Sequence, residues 1–242
     1  RRSYDVVIIG GGGHGLAAAY YLSRYHGITN VAVLEKGYLA GGNTARNTTT
    51  VRSNYLTIPS IEFYREGVSL FENMSHELGF NVMFSQRGQL TLAHSAGALR
   101  SFRLRAEMGK HAGTRIEVVD ARGVQKICPH VNMDFGGQHE VLGGLWHADG
   151  GTARHDAVAW GYAKRAAENG VQIHQRTEVT GFGVSGDRVT EVRTNRGTIQ
   201  AGQVLQAAGG MNGRIAEMAG LRLPIRCFPL QAMVTQPLKP FL

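Results

Sequence analysis

Residues 4–16, Tyr4-Asp5-Val6-Val7-Ile8-Ile9-Gly10-Gly11-Gly12-Gly13-His14-Gly15-Leu16, decide the fold of this chain. Residues 6–9 are all apolar and β-branched, which is typical of a strand buried on both faces. Gly10, Gly12 and Gly15 then follow in a G-x-G-x-x-G pattern, and residues 16–25 continue with helical apolar spacing. The pattern predicts a buried strand, a tight glycine turn and a helix.

A second apolar run, residues 31–34, ends at Glu35, twenty residues after Gly15. The first glycine of the motif permits the turn, the second lets backbone approach a pyrophosphate, and the third lets helix pack on strand. The helix N-terminus offers unpaired N–H groups and partial positive charge to phosphates. The Glu35 carboxylate accepts hydrogen bonds from a ribose 2′-hydroxyl and repels a 2′-phosphate. We therefore predict a dinucleotide site.

Composition narrows the class of protein. The 242 residues suffice for one large or two modest domains, and no apolar run is long enough to span a membrane. Cys128 and Cys227 form neither a disulfide framework nor a metal-ligand pattern, so we expect a reducing cytoplasm and no metal. The net charge of +8 is dispersed without aromatic interleaving. An anionic cofactor or an acidic partner subunit explains this charge better than nucleic acid does.

Further elements are predicted along the whole chain. Helices are expected at 61–78, 96–112, 156–169 and 213–219, and a short strand and a helix within 117–128. Strands are expected at 143–147, 171–174, 177–182, 189–194, 197–199, 203–207 and 226–236. Residues 80–93 alternate in polarity and turn at Arg87-Gly88, which predicts a hairpin. On the helix at 61–78, core packing is predicted for an apolar stripe of Phe63, Gly67, Leu70, Phe71, Met74 and Leu78.

These elements predict an α/β fold with two interleaved domains. Residues 1–52 and 146–222 form a discontinuous, Rossmann-like FAD-type domain, and 53–145 with 223–242 form part of a second, sheet-containing substrate domain. The chain begins at Arg1 and stops after a strand-like segment. We therefore expect the C-terminal part of the second domain to be missing and the isolated chain to be inactive.

A polar loop at 41–52 follows the Glu35 strand. It is either an ordinary surface loop or, because it crosses the carboxyl edge of the sheet, a ligand-contacting segment. We favour ligand contact.

Several segments together resemble the glycine and sarcosine oxidase-like amine oxidases of the D-amino-acid oxidase superfamily, and above all the beta subunits of heterotetrameric sarcosine oxidases. Besides the glycine turn they are His26-Gly27-Ile28-Thr29-Asn30-Val31-Ala32-Val33-Leu34-Glu35-Lys36-Gly37, Leu39-Ala40-Gly41-Gly42-Asn43, Ala45-Arg46-Asn47-Thr48-Thr49, Arg52-Ser53-Asn54-Tyr55, Phe84-Ser85-Gln86-Arg87-Gly88, Arg154-His155-Asp156-Ala157-Val158-Ala159-Trp160 and Glu178-Val179-Thr180-Gly181-Phe182. The likeness covers essentially the whole chain.

The resemblance implies two flavins. FAD is held noncovalently through the N-terminal fingerprint, and FMN is attached covalently to the histidine that corresponds to His155. A neutral imidazole nitrogen is able to attack the 8α carbon of a flavin, with Asp156 or a neighbouring carbonyl holding the tautomer. From the residues alone, the favoured interpretation is that His155 is a local hydrogen-bond partner at the start of a helix; the resemblance favours flavin attachment instead.

The resemblance also implies site residues. FAD contacts are expected at Gly13, His14 (through its backbone), Glu35, Asn43, Thr48, Thr50 and Val179. The predicted cofactor set further contains Gly10, Gly12, Gly15, Arg46, Asn47 and Gly209, the last in a second glycine-rich turn. Arg52 is the candidate catalytic residue, since a guanidinium binds a substrate carboxylate in bidentate fashion. A phosphate contact or a structural contact for Arg52 remains the alternative.

The implied reaction is oxidation of sarcosine, or another N-methyl amino acid, to an imine. Electrons pass from FAD to FMN and then to O2, which gives H2O2. The expected partners are an alpha subunit, with gamma and delta subunits as further candidates. The alternatives are an electron-transferring dehydrogenase of L-proline or another amino acid, a non-catalytic flavin-binding fragment, and an NAD-linked dehydrogenase. The extended loop after Glu35 argues against the last.

Overall fold

The computed structural model describes residues 3–133, 140–231, 233 and 236. The strands are β1 (Ser3–Ile9), β2 (Val31–Leu34), β3 (Thr50–Val51), β4 (Gln89–Ala93), β5 (Ile116–Asp120), β6 (Gly143–His147), β7 (Gly151–Thr152), β8 (Gln172–His174), β9 (Val179–Ser185), β10 (Arg188–Thr194) and β11 (Gly197–Gln206). The helices are α1 (Gly13–Tyr25), α2 (Ile58–Leu78), α3 (Ala96–His111), α4 (Ala121–Ile127), α5 (His155–Glu168) and α6 (Asn212–Met218), with 3₁₀ turns at Asn43–Arg46 and Gly209–Met211. The mixed α/β class is as predicted.

The described residues fall into two compact units. The first takes its residues from Arg1–Thr48, Leu78–Val82 and Arg154–Ala232, and the second from Thr49–Glu77, Met83–Ala153 and Met233–Leu242. Residues 49–52 and 146–153 thus belong to the second unit. The domain limits drawn from the sequence stay a prediction.

The first unit is built on a six-stranded sheet in the order β8-β2-β1-β11-β10-β9. The strands β8, β2, β1 and β11 run parallel, and β10 and β9 add an antiparallel edge. As predicted, residues 6–9 are buried, because β1 is central and its apolar side chains have protein on both faces. The core on one face contains Tyr4, Val7, Ile9, Ala32, Leu34, Val179, Phe182, Val192 and Ala201.

Helices α1 and α5 also belong to this unit and pack against each other through tyrosines. The rings of Tyr20 and Tyr162 lie 5.6 Å apart between centroids, and those of Tyr21 and Tyr162 lie 6.1 Å apart. Aromatic pairs at these separations add to the stabilisation from apolar burial. The contact fixes the direction of α1, and therefore of its N-terminus after the glycine turn.

The second unit contains a three-stranded antiparallel sheet in the order β4-β6-β5 and a short pair, β3-β7. Its core is formed where α3 covers the larger sheet, by Ala93, Phe102, Ala106, Ile116 and Leu145. Helix α3 begins at the cap Ser95, whose side chain accepts a hydrogen bond from the Ala98 N–H.

The predicted hairpin at 80–93 is wrong. A turn exists at Gly88, where φ is +83° and an added Cβ would meet the Trp146 ring at 2.0 Å. The segment before the turn does not return along β4, which pairs with β6 instead. Ser85 pairs with Thr152, through two backbone hydrogen bonds of 2.8 and 3.0 Å. Pairing with strands far along the chain replaces the local hairpin.

Two further expectations need correction. On α2, Met74 and Leu78 are buried as predicted, but Phe63 is 73% exposed and Leu70 is 43% exposed. The stripe is therefore only partly core. A strand was predicted at 226–236, yet residues 226–231 form none in the described part of the chain, and 232, 234 and 235 lie outside it.

The predicted strands at 197–199 and 203–207 are one strand, β11. Its first half pairs with β10 and its second half with β1. Gly202 lies in the interval between the two predicted strands and marks a close approach, because an added Cβ would lie 2.8 Å from the Asp5 carbonyl oxygen.

Candidate functional site

The glycine turn joins β1 to α1 at the carboxyl end of the parallel strands. Gly10 has φ of +115°, and an added Cβ would lie 2.4 Å from the Ala207 carbonyl oxygen of the neighbouring chain segment. A Cβ on Gly15 would lie 2.0 Å from the Gly10 carbonyl oxygen. Both contacts are with backbone, so only glycine fits. Gly15 thus brings helix and strand together, as the motif predicts.

The turn presents bare backbone at the start of α1. Around an added Cβ at Gly12 or Gly13, the neighbouring atoms belong to the Thr44 side chain, the nearest being its hydroxyl at 3.1 and 3.6 Å. The Thr44 hydroxyl accepts a hydrogen bond of 2.9 Å from the Gly13 N–H. Thr44 lies in the loop 41–52 that was predicted to contact a ligand but was not among the individual predicted contacts, and the Gly-Gly-Asn-Thr segment brings it over the helix N-terminus.

Glu35 is fixed at the end of β2. One carboxylate oxygen accepts from the Gly11 N–H at 2.9 Å, and the other accepts from the Gly37 N–H at 2.8 Å. A carboxylate oxygen has two acceptor positions, so each retains one for a further donor. Glu35 is therefore held in the position that suits binding of a ribose hydroxyl.

The loop after Glu35 is folded on itself. The Arg46 guanidinium donates to the carbonyl oxygens of Gly41 and Gly42, so it shapes the loop from within. A Cβ added to Gly41 would lie only 2.8 Å from the nearest atom of the Tyr38 ring. A second glycine turn after β11 is held by Asn212, whose Oδ1 accepts from the Ala208 N–H at 2.8 Å.

These segments of the first unit line a cavity of about 1150 Å³. Of the predicted cofactor residues, those that line it are Gly10, Gly12, Gly13, His14, Glu35, Asn43, Arg46, Val179 and Gly209. Gly15, Asn47, Thr48, Thr50 and His155 do not line it. Gly41, Gly42 and Thr44, within the loop predicted to contact a ligand, also line it, and so do Tyr38 and Asn212, which were not predicted.

The cavity fits an extended dinucleotide. Its volume exceeds the roughly 300–1,000 Å³ of an ordinary small-molecule pocket. Bare glycine backbone lies at the start of α1, where the helix favours negative charge. The carboxylate of Glu35 lies at the end of the neighbouring parallel strand β2. A pyrophosphate and a ribose therefore both have partners here.

Arg52, the candidate catalytic residue, belongs to the second unit. Its Nη1 donates to Asn54 Oδ1 at 3.0 Å, and its guanidinium carbon lies 4.9 Å from the centroid of the Tyr55 ring. Tyr55 in turn stacks on Tyr64 at 4.0 Å, and burial raises the pKa of Tyr55. Within residues 3–133, 140–231, 233 and 236, Arg52 has no carboxylate partner. The guanidinium is thus oriented by neutral groups, and its positive charge is not neutralised by an ion pair.

His155 is the first residue of α5. It is half-buried, and its Nδ1 is buried without a hydrogen-bond partner in the part of the chain that the structure describes. Asp156 does not hold this ring, contrary to expectation. Its carboxylate accepts from Arg154 Nε at 3.0 Å and Nη2 at 2.6 Å, and this pair holds the Asp156 pKa below its usual range.

Fold and site define a dinucleotide-binding α/β protein. A model of the FAD dependent oxidoreductase family, DAO, matches residues 5–242. The chain belongs to this family, which supports FAD as the ligand of the cavity.

Comparison with individual proteins narrows the resemblance. The chain is 50% identical over 240 residues to sarcosine oxidase subunit beta from Arthrobacter sp., covering 99% of this chain and 59% of that one. To sarcosine oxidase subunit beta from Rhodobacter capsulatus it is 47% identical over 240 residues, covering 99% and 58%. The resemblance to these beta subunits is thereby confirmed. The chain spans little more than half the length of these curated relatives.

The fold has close counterparts among solved structures. L-proline dehydrogenase from P. horikoshii superposes with a TM-score of 0.84 at 27% identity, covering 93% of this chain and 58% of that chain.

Over the part of the chain that the structure describes, every helix is too short or too polar to cross a bilayer.

Proposed function

We propose that this chain is the FAD-binding part of a sarcosine oxidase beta-type subunit that oxidises an N-methyl amino acid such as sarcosine. The 50% identity to the Arthrobacter subunit across 99% of the chain carries the proposal. The glycine turn and Glu35 support it, because they offer partners to a pyrophosphate and a ribose.

In this proposal, FAD and FMN would supply, when bound, the two-electron redox chemistry by which an N-methyl amino acid and O2 become an imine and H2O2. The chain itself supplies binding and orientation. The N-terminus of α1 holds the pyrophosphate, Glu35 holds the adenosine ribose, and Val179 reads the adenine edge with its backbone. Asn43, Arg46 and Gly209, which line the cavity, complete the proposed FAD contacts.

Arg52 is the proposed anchor of the substrate carboxylate. The contacts with Asn54 and Tyr55 support this role, since they orient the guanidinium without neutralising its charge. A guanidinium fork matches the two oxygens of a carboxylate, which fixes the orientation of an amino acid as well as its position.

His155 is the proposed attachment point of a covalent FMN. Among the described residues its Nδ1 has no hydrogen-bond partner, which argues against a purely local structural role. The test is acid denaturation of the holoenzyme, followed by mass spectrometry of the peptide that contains His155. A mass increment of one FMN on this peptide is expected, and the His155→Asn variant should lack it. An unmodified wild-type peptide would leave a single-flavin enzyme.

The proposed partners are the other subunits of such an oxidase, an alpha subunit first and gamma and delta subunits as further candidates. The name "subunit beta" of the relatives supports an assembly of this kind. A cytoplasmic location is proposed with it, since both cysteines are free.

The alternative function is that of an electron-transferring amino-acid dehydrogenase. The superposition on L-proline dehydrogenase from P. horikoshii favours it. The holoenzyme reduced with sarcosine should be reoxidised by O2 with release of H2O2. Reoxidation that needs an artificial acceptor, or turnover of L-proline in place of sarcosine, would favour the dehydrogenase.

A further inference from the structure

The second unit contains a cluster of buried polar side chains next to Arg52. Only six polar side chains are buried in the described part of the chain, and Ser53, Asn54 and His147 are three of them. His147 is fully buried at the end of β6, with Gln89 of β4 and Ile116 of β5 as its cross-strand neighbours. The sequence analysis assigned no function to His147.

The imidazole of His147 accepts hydrogen bonds from the loop that carries Arg52. Its Nε2 lies 3.2 Å from the Ser53 backbone nitrogen and 3.2 Å from the Ser53 hydroxyl oxygen. A backbone N–H can only donate, so Nε2 is unprotonated and the neutral ring carries its proton on Nδ1. Burial lowers the pKa of His147; the Arg115 backbone and the charge of Asp149 oppose this more weakly, and the charges of Arg115 and Arg52 add to the lowering. The ring is therefore kept neutral, as an acceptor must be.

Ser53 lies in the sequence between Arg52 and the two residues that orient its guanidinium. Asn54, the next residue, accepts from Arg52 Nη1, and Tyr55 places its ring beside the guanidinium. Tyr55 is fixed by stacking on Tyr64. The backbone between Arg52 and these two residues is held at Ser53, whose N–H donates to the His147 side chain, 94 residues away in sequence.

We propose that His147 is a positioning residue for substrate binding: Nε2 fixes the Ser53 N–H and thereby aims Arg52 at the carboxylate of the amino acid. This inference rests on the proposed role of Arg52. An apolar side chain at 147 would fill the space but leave the Ser53 N–H buried without an acceptor. The loop would then turn to find another partner, and Arg52 would turn with it.

The test uses the full-length holoenzyme and steady-state kinetics with sarcosine. His147→Leu removes the acceptor, whereas His147→Gln brings an amide oxygen close to the position of Nε2. We expect a KM at least about tenfold higher in His147→Leu, with kcat within about threefold, and a KM near that of the wild type in His147→Gln. If His147→Leu does not fold, His147→Asn replaces it, because the shorter amide does not reach Ser53.

Two comparisons make the test specific. Thr114 is another buried polar residue of the same unit, with an unpartnered hydroxyl among the described residues, and Thr114→Val should leave KM unchanged. Combined with Arg52→Met, His147→Leu should raise KM no further, because its effect passes through Arg52.

Equal losses in His147→Leu and His147→Gln would overturn the proposal, as would a normal KM in His147→Leu when Arg52→Met alone raises it. A normal KM in Arg52→Met would instead remove the carboxylate anchor and leave the FAD assignments intact. The two proposals therefore fail in different variants.

Discussion

The contact between Gly15 and Gly10 makes a sharp prediction for Gly15→Ala. The new Cβ would lie 2.0 Å from the Gly10 carbonyl oxygen and 3.3 Å from Ile8 Cγ2. Cβ atoms in proteins keep about 3 Å from such atoms, so α1 must move by roughly 1 Å from the turn. Both clashing groups belong to backbone or core, so no side-chain rotation relieves the overlap.

Two opposing terms decide the magnitude. Alanine gains about 1 kcal/mol over glycine in a helix interior, whereas overpacking of this kind costs about 1–3 kcal/mol. The net loss is up to about 2 kcal/mol in the free energy of unfolding, which lowers Tm by roughly 4–8 °C for a protein of this size. Moving the N-terminus of α1 also weakens FAD binding. The Kd for FAD rises about tenfold for each 1.4 kcal/mol of binding free energy lost.

The assay compares Gly15→Ala with a matched control, Gly67→Ala. Gly67 lies within α2, and nothing is within 4 Å of an added Cβ there. The control should gain up to about 1 kcal/mol from helix propensity and leave FAD binding unchanged. Thermal unfolding and fluorescence titration of the apoprotein with FAD measure both effects. A Gly15→Ala protein with the Tm and the FAD Kd of the wild type would refute the reasoning.

Three further predictions follow from the sites described above. Glu35→Gln should raise the Kd for FAD about tenfold in the same titration, because hydrogen bonds to a charged acceptor contribute about 1.5–3 kcal/mol; an unchanged Kd would show that the ribose binds elsewhere. Arg52→Lys should raise the KM for sarcosine at least about tenfold without changing the FAD Kd, because a lysine keeps the charge but loses the bidentate fork; equal KM values would contradict the carboxylate anchor. Burial lowers the pKa of His147 from its ordinary 6.5, so below this pH the unfolded chain binds a proton that the folded protein does not. The free energy of unfolding therefore falls as the pH falls below 6.5, by at most about 1.4 kcal/mol per pH unit from this group. Denaturant unfolding at several pH values should show a shallower fall in His147→Gln, and parallel curves would exclude His147 as the cause.

Short sequence patterns predicted how the glycine turn and Glu35 are placed, because consecutive elements determine that placement. The glycine turn and Glu35 lie on consecutive elements, and the spacing of residues along β1, α1 and β2 determines where they meet. Thr44 was not among the individual predicted contacts because its bond to Gly13 depends on the path of the loop, which no spacing rule fixes. Thr48, in the same polar loop, was predicted to bind FAD and does not line the cavity.

Contacts between residues far apart in the sequence account for the other features that the sequence patterns did not predict. The segment before Gly88 offers a good hairpin, but Ser85 pairs with Thr152 instead. His147 is an unremarkable residue at the end of a strand until the fold brings Ser53 to it. Gly202, between two strands that were predicted separately, is required by a strand from the start of the chain, which leaves no room for a Cβ beside Asp5.

The double pairing of β11 has a consequence for synthesis on the ribosome. Ser3 pairs with Gln200, 197 residues later, whereas Glu191 pairs with the same Gln200 across only nine residues. The β10–β11 pair can form as soon as it emerges, but β1 waits for β11 until the long intervening segment has been translated. During that time an apolar strand has an open edge, which is a site for aggregation or chaperone binding. The glycine turn after β1, which packs against Ala207, is therefore completed only after β11 has been made.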